Sequence, residues 1–324
     1  MKMQRARQAA AGVLAGVLLA VAGGGCVVYP KTPPLSQEQV MGQYNDNAQR
    51  ITALWARANV VADVGDAQGH RGRWGSLLGS PNALLIASKQ EGGSAPAFVL
   101  IGREAGVDIF RAGIDPPAGV YYFWYKFGDR GGGWGGKLAQ ADQPHATQVP
   151  VNPMQMVSLL GLLPLAQPGQ TMQMKVTPSG KPIWSGGKPH YAYVVKVFEP
   201  AEQGAKPVLQ REVYFAYSDS EPPRPFRIDM FDRQGRLRTR ADLGDYRTVQ
   251  MPEGPAQAPS RLTIAWPRIG NLQAGNQLDL ALSEVQSRSV NPKVFDFRIN
   301  LPEGLAVRDV DQPQFSPQEG SVQK

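Results

Sequence analysis

One cysteine, Cys26, stands in 324 residues, so neither an intrachain disulfide nor a cysteine metal cluster can form. Histidine is almost as scarce. His70, His145 and His190 lie far apart, and none has a His or Cys at ligand spacing, so no metal and no other cofactor is expected. A G-x-S-x-G nucleophile elbow is missing too. The apolar run Ala9–Ala22 is too short for a comfortable transmembrane helix. Charged residues make up only 19% of the chain and hydrophobic ones 42%, a balance that excludes both a disordered chain and a multi-span membrane protein. The excess of positive charge is small, +7 from 34 basic and 27 acidic residues. Removing Lys2, Arg5 and Arg7 with the first segment takes it to +4, a weak pull on anionic partners. With no binding motif beside it, nucleic acid is not an expected partner.

What is abundant is glycine (36) and proline (28), which favours short strands joined by turns. The chain opens with a basic flank, Met1 to Arg7, then the apolar run, then Gly23, Gly24, Gly25 and Cys26. That is the grammar of a secretory signal. A lone cysteine after small residues resembles a bacterial lipobox, although Gly23 stands where lipoboxes usually carry Leu. The resemblance implies cleavage before Cys26 and acylation of that residue, with the membrane as partner. Several acyl chains, at about 0.8 kcal/mol per buried CH₂, anchor far more firmly than one. An ordinary signal peptide with an incidental cysteine is the competing reading. Residues 1–25 are thus a lipoprotein signal and 26–34 a tether, with Pro30, Pro33 and Pro34 opposing helix. Residues 35–311 form one domain, and 312–324 a polar tail.

Spacing predicts a helix over Leu35–Asn59, capped by Ser36 with Gln39 as its reciprocal partner. Val40, Tyr44, Ala48, Ile51, Trp55 and Ala58 form its apolar stripe. A second helix starts at Asn152-Pro153 and stops at Pro164. Elsewhere the period is two. Strands are predicted at 73–78, 83–88, 98–103, 107–112, 120–127, 191–198, 213–217, 226–230, 262–266 and 278–282, antiparallel, with one face apolar. Asp232-Arg233-Gln234-Gly235 reads as a hairpin loop. Pro252–Pro259 reads as a loop or a weak boundary.

Two runs were weighed for chemistry. Gly131 to Lys137 holds most of a P-loop, but Leu138 replaces the Mg²⁺-binding hydroxyl, so a mobile loop between strands is expected. Arg236, Arg238 and Arg240 share one strand parity and either meet an anionic surface or form a solvated face, the second being favoured. Asp229, Asp232, Asp242 and Asp245 are assigned to turns and that face.

The order of elements, with Trp55-Ala56-Arg57-Ala58-Asn59-Val60, Val107 to Trp124, Val151-Asn152-Pro153-Met154 and Gly244-Asp245-Tyr246, resembles the LolA-like lipoprotein-carrier superfamily over most of Leu35 to Val285. The resemblance implies an α+β, mainly β fold: a strongly curved, incomplete antiparallel β-barrel covered by helices, with an apolar cavity for acyl chains of lipids or lipoproteins. On that reading Tyr44, Ile51, Trp55, Phe123, Tyr193, Val195, Phe215, Ile228, Ile264 and Leu280 line the cavity. The alternative is that they fill a closed core. The expected function is a lipid-anchored periplasmic binder or carrier of acyl cargo, not an enzyme. An RseB-like sensor or scaffold for an envelope protein is the alternative, and a hydrolase ranks third. Val27 after the cysteine, in place of a retaining Asp, favours the outer membrane.

Overall fold

The chain is described here from a computed structural model, which covers residues 32–65, 71–75, 82–89, 95–128, 130–141, 149, 151–167, 169–182, 189–199, 206–218, 221–266 and 275–312. The signal segment, Cys26, His70, His145 and most of the polar tail lie outside the described residues.

Helix α1 (Gln37–Arg50) starts where Ser36 accepts from the Gln39 amide and Gln39 returns the bond to Ser36. It ends earlier than the apolar spacing predicts. Residues from Ala53 onward form strand β1 (Ala53–Gly65). Leu54, Ala56, Ala58 and Val60 turn into the core at every second position. Small and branched side chains there satisfy a two-residue period as well as a helical one. Pairing on both sides, with β3 (Ala83–Ser88) and β16 (Asn276–Gln286), selects the strand.

Fifteen of the described strands form one sheet. Its first half contains β3, β4 (Ala97–Glu104), β5 (Val107–Asp115), β6 (Val120–Phe127) and β7 (Arg130–Lys137). Its second half contains β8 (Thr171–Pro182), β9 (Pro189–Phe198), β10 (Leu209–Ala216), β11 (Pro225–Phe231), β12 (Leu237–Gly244) and β15 (Arg261–Trp266). β1 and β16 join the halves, and β2 (Arg71–Gly75) branches off β1. The edges are β8 and the short β17 (Val307–Asp309), which do not pair with each other, so the sheet stays open. The β17–β7 pair is parallel and the other described pairs are antiparallel.

Helix α2 (Pro153–Leu159) shows how strongly this sheet bends. Asn152 caps it by accepting from the Met154 amide at 2.9 Å, with Pro153 in the first turn. It packs on β5 and β6. Its Gln155 side chain also meets Thr239 on β12 at 3.1 Å and Trp266 on β15 at 3.0 Å. Four strands separate β5 from β15 in the sheet order. Flat, that gap would be about 24 Å at about 4.8 Å per strand. One narrow helix reaches both sides because the sheet curls around it. The result is the incomplete antiparallel barrel with helical cover that the LolA-like resemblance implied.

The glycine-rich run Gly131–Lys137 is strand β7 and not a mobile loop. A Cβ at Gly136 would sit 2.6 Å from the Tyr121 hydroxyl oxygen, and one at Gly133 would sit 3.0 Å from Val307. The glycines give neighbouring side chains room to lie against the strand.

A second layer covers the outer face of the first half. After β16 the chain crosses that face through a 3₁₀ turn (Pro292–Val294) and helix α3 (Phe297–Asn300). Phe295, Val290 and Val294 cluster with Ile86, Ala97, Val99 and Ile101. Both faces of β4 are therefore dry, and Ala97 to Gly102 are buried without alternation. Trp55 belongs to this outer cluster, with the Arg288 guanidinium 5.5 Å above its ring.

The stretch read as a loop at Pro252–Pro259 belongs to a hairpin, β13 (Arg247–Met251) and β14 (Gly254–Ala258). It is tied to α1 by Asn47, which donates to the Gln257 carbonyl at 2.9 Å and accepts from its amide at 2.7 Å. On the other flank of α1, Asn45 accepts from the Leu165 amide at 2.9 Å. The helix is thus held by backbone groups on either side as well as by its apolar stripe.

Candidate functional site

Nine of the ten residues expected to line a cavity, Trp55 excepted, are buried in one continuous core cluster. Phe215 and Val195 are fully enclosed, Tyr44 meets Phe215 edge-on at 5.8 Å, and Tyr193 packs on Tyr217 at 4.8 Å. These nine side chains are thus buried against one another in the core. Trp55 is corrected outright: as a strand residue it points to the opposite face, because a period of two sends it away from Leu54 and Ala56.

Open space lies beside α1. A groove of about 520 Å³ runs between α1, the end of α2, the head of β11 and the β13–β14 hairpin. Tyr44 and Ile228 are the two expected residues that border it. Leu159, Leu160 and Tyr246 continue its apolar wall, and Pro222, Pro223, Pro225, Pro255 and Pro259 give it rigid rims. Gln43, Asp46 and Arg50 project from the exposed face of α1 at its mouth. A smaller pocket of about 320 Å³ shares Gln43, Pro222 and Pro223 with it and reaches Thr32, Pro33 and Leu35, where the tether joins the domain. The two make one trough along α1.

The sequence alone assigned no site role to Arg224, Tyr246 or these prolines. The run Pro222-Pro223-Arg224-Pro225 was the available signal, since four such residues fix a stiff wall wherever the fold puts them. Tyr246 donates its hydroxyl to the Pro225 carbonyl at 2.7 Å, and burial pushes its pKa up. Burial likewise raises that of Tyr44. Both phenols stay protonated at neutral pH.

The arginine-rich face proves to be laced with ion pairs. Arg240 grips Asp229 through two bonds of 2.8 Å, and Arg227 meets Asp242 at 3.0 Å. Arg236 and Arg238 both turn to Asp232, whose carboxylate also caps the turn by accepting from the Gln234 and Arg236 amides. Asp232 thus serves the turn, as expected, while Asp229 is buried rather than solvated. Arg236 and Arg238 share one carboxylate, so four arginines face three aspartates here.

Glu212 extends the same network. Burial disfavours its carboxylate, but Lys196 at 2.8 Å and the Tyr214 hydroxyl at 2.6 Å outweigh that and hold its pKa below the ordinary value. A depressed folded-state pKa contributes stability above the unfolded value, lost as pH falls through the folded one. The unfolding free energy should therefore hold steady above about pH 5 and fall in the acid range below it. Glu212→Gln should flatten that fall. Urea melts of both proteins across pH 3–7 check it, and an unchanged acid slope would remove Glu212 from the account.

Among the described residues no group of three or more His, Asp, Glu or Cys is placed to hold a metal. Lys137, the P-loop-like lysine, instead donates its backbone amide to Asp311 at 2.6 Å.

No protein-family model and no curated protein matches this chain. Solved structures do. It is similar to a Vibrio parahaemolyticus domain named as an outer membrane lipoprotein-sorting protein, at 12% identity and TM-score 0.42, over 80% of this chain and 96% of that one. It is similar to a LolA superfamily protein from Nitrosomonas europaea, at 11% identity and TM-score 0.42, over 80% and 98%. A DUF1329 family protein from Desulfovibrio piger overlaps at 10% identity and TM-score 0.40, over 81% and 99%. The overlaps are partial, and the architecture given above rests on this chain's own strand pairing.

Proposed function

We propose that this chain is a lipid-anchored envelope protein that binds an acyl chain in the trough beside α1, without covalent chemistry. The observation that carries the reading is the groove itself. Its volume suits a small amphiphile, and its wall of tyrosine, leucine, isoleucine and proline offers a chain contacts with little directionality. Each methylene that enters leaves water, at about 0.8 kcal/mol. The proposed site lies on the flank of the helix, bordered by Tyr44 and Ile228.

The tether supports a membrane source for the cargo. Cys26 is six residues from Thr32, which borders the smaller pocket. Six extended residues span about 20 Å. With Cys26 acylated, one end of the trough stays near the bilayer surface, and the outer membrane is the proposed site.

Purified full-length protein should bind a dansyl-labelled undecanoic acid saturably. Gln43→Trp and Thr248→Trp narrow the mouth from exposed positions, and each should weaken binding about tenfold, a loss of about 1.4 kcal/mol, with the unfolding midpoint unchanged. Linear, unsaturable uptake by the parent protein would end the acyl-binding reading.

A further inference from the structure

The trough is not uniformly greasy. Arg224 lies in its wall between two buried prolines, Pro223 and Pro225. Its backbone carbonyl accepts from the Ala216 amide at 3.1 Å, which fixes the residue at the head of β11. Its guanidinium sits 5.8 Å above the centre of the Tyr246 ring, and that ring is pinned in turn through its hydroxyl to Pro225. The cation is therefore set in place by its surroundings.

Its hydrogen-bonding capacity is not used up. The Arg224 Nε atom is buried and has no hydrogen-bond partner. One terminal nitrogen lies 3.6 Å from Glu221, a loose pairing with a side chain that is 62% exposed. That distance is beyond a hydrogen bond. At the groove mouth Asp46 and Arg50 are both exposed and of opposite sign, so they offset each other. The Tyr246 phenol beneath the guanidinium remains neutral and supplies no counter-charge. A preset guanidinium on a side chain still 29% exposed, beside an apolar channel, matches a planar or tetrahedral anion with a hydrocarbon tail.

We infer that Arg224 makes the trough selective for anionic amphiphiles, molecules with a single acyl chain ending in a carboxylate or a phosphate. The head lies against Arg224 and the chain runs along Tyr44, Leu160 and Ile228. The inference rests on the acyl-binding reading and adds the chemistry of the head.

The test uses the full-length protein and two probes of equal length, dansyl-undecanoic acid and its neutral methyl ester. The acid should bind about tenfold more tightly than the ester, and only the acid's affinity should fall as salt is raised. Arg224→Gln should bring the acid down to the ester's affinity and leave the ester unchanged. Arg224→Lys, which keeps the charge but loses the fork, should fall between. The comparison of acid with ester in the parent protein needs no variant, so a poorly folding Arg224→Gln does not leave the matter open. Displacement of the probe by a fatty acid but not by a lysophosphatidic acid, or the reverse, assigns the head as carboxylate or phosphate; either supports the inference. Equal affinities for acid and ester would overturn the role of Arg224 while leaving acyl binding intact. Displacement by inorganic phosphate alone at the same concentration would also overturn it, since the tail would then contribute nothing. If neither probe saturates, the acyl-binding reading itself falls.

Discussion

Gly113→Ala is expected to lower the free energy of unfolding by about 3 kcal/mol, the upper end of what overpacking a dry site costs. A Cβ at Gly113 would lie 2.5 Å from both Cζ and the hydroxyl oxygen of Tyr122. The Tyr122 ring has nowhere to retreat. It is fully buried on β6, packs on Phe297 at 4.8 Å, and its hydroxyl faces the Phe295 carbonyl at 3.5 Å. Asp115 adds a further tie by accepting from the Phe297 amide at 3.0 Å. Relief would require lifting the outer layer from the sheet. Gly42→Ala makes the control, because α1 offers that Cβ open space. There alanine should stabilise by about 0.5–1 kcal/mol through helix propensity. Urea unfolding of the two variants beside the parent protein reads both signs at once. A Gly113→Ala protein as stable as its parent would mean that α3 and its flanking turn are not firmly seated.

Loss of Asp229 comes next in size. Asp229→Ala should cost about 2–3 kcal/mol, below the about 3–5 kcal/mol typical of a broken buried pair. The discount has a structural reason: the Asp229 side chain is 4% exposed but that of Arg240 is 40% exposed, so the stranded guanidinium recovers part of its hydration. Arg240→Leu should cost less than Asp229→Ala only if the charge left on Asp229 finds another partner. With Arg227 committed to Asp242, that buried carboxylate stays uncompensated, and Arg240→Leu should be the less stable of the two single variants. The double variant Asp229→Leu with Arg240→Leu should recover most of the loss, because a buried pair replaced by apolar side chains is often nearly neutral. A thermal or urea double-mutant cycle measures the coupling. Additive losses would show that the bidentate contact contributes little.

Much of the architecture was legible from local chemistry. The cap at Ser36 and Gln39 lies within one turn, and so does Asn152 ahead of Pro153; the chain needs no distant partner to form either. The alternating runs on β15 and β16 follow from burying a single face. The Asp232–Gly235 turn follows from Gly235, whose φ of 75 a side chain would resist. These features rest on residues a few positions apart, which is why a single sequence displays them.

Other features answer to partners far along the chain. Residues 53–60 fit a helix as well as a strand until β3 and β16 claim their backbone groups. The glycines of β7 look like slack until Tyr121 and Val307 are found lying across them. β4 breaks alternation because a segment nearly two hundred residues later covers its second face. Arg236, Arg238 and Arg240 share a parity in the sequence, yet which carboxylates they meet depends on the register of β11 against β12.

The sequence by itself determined the class of the protein: a mainly β domain with one apolar sheet face and two capped helices to set upon it. Tertiary structure alone decided where a groove opens at the surface. Hydrophobic parity tells which side chains leave water but not whether they meet one another or leave a gap, since that depends on how far the sheet bends and where α1 is pinned. Here the bend brings the inner side chains together, and the vacant space falls beside the helix, around Arg224 and Tyr246.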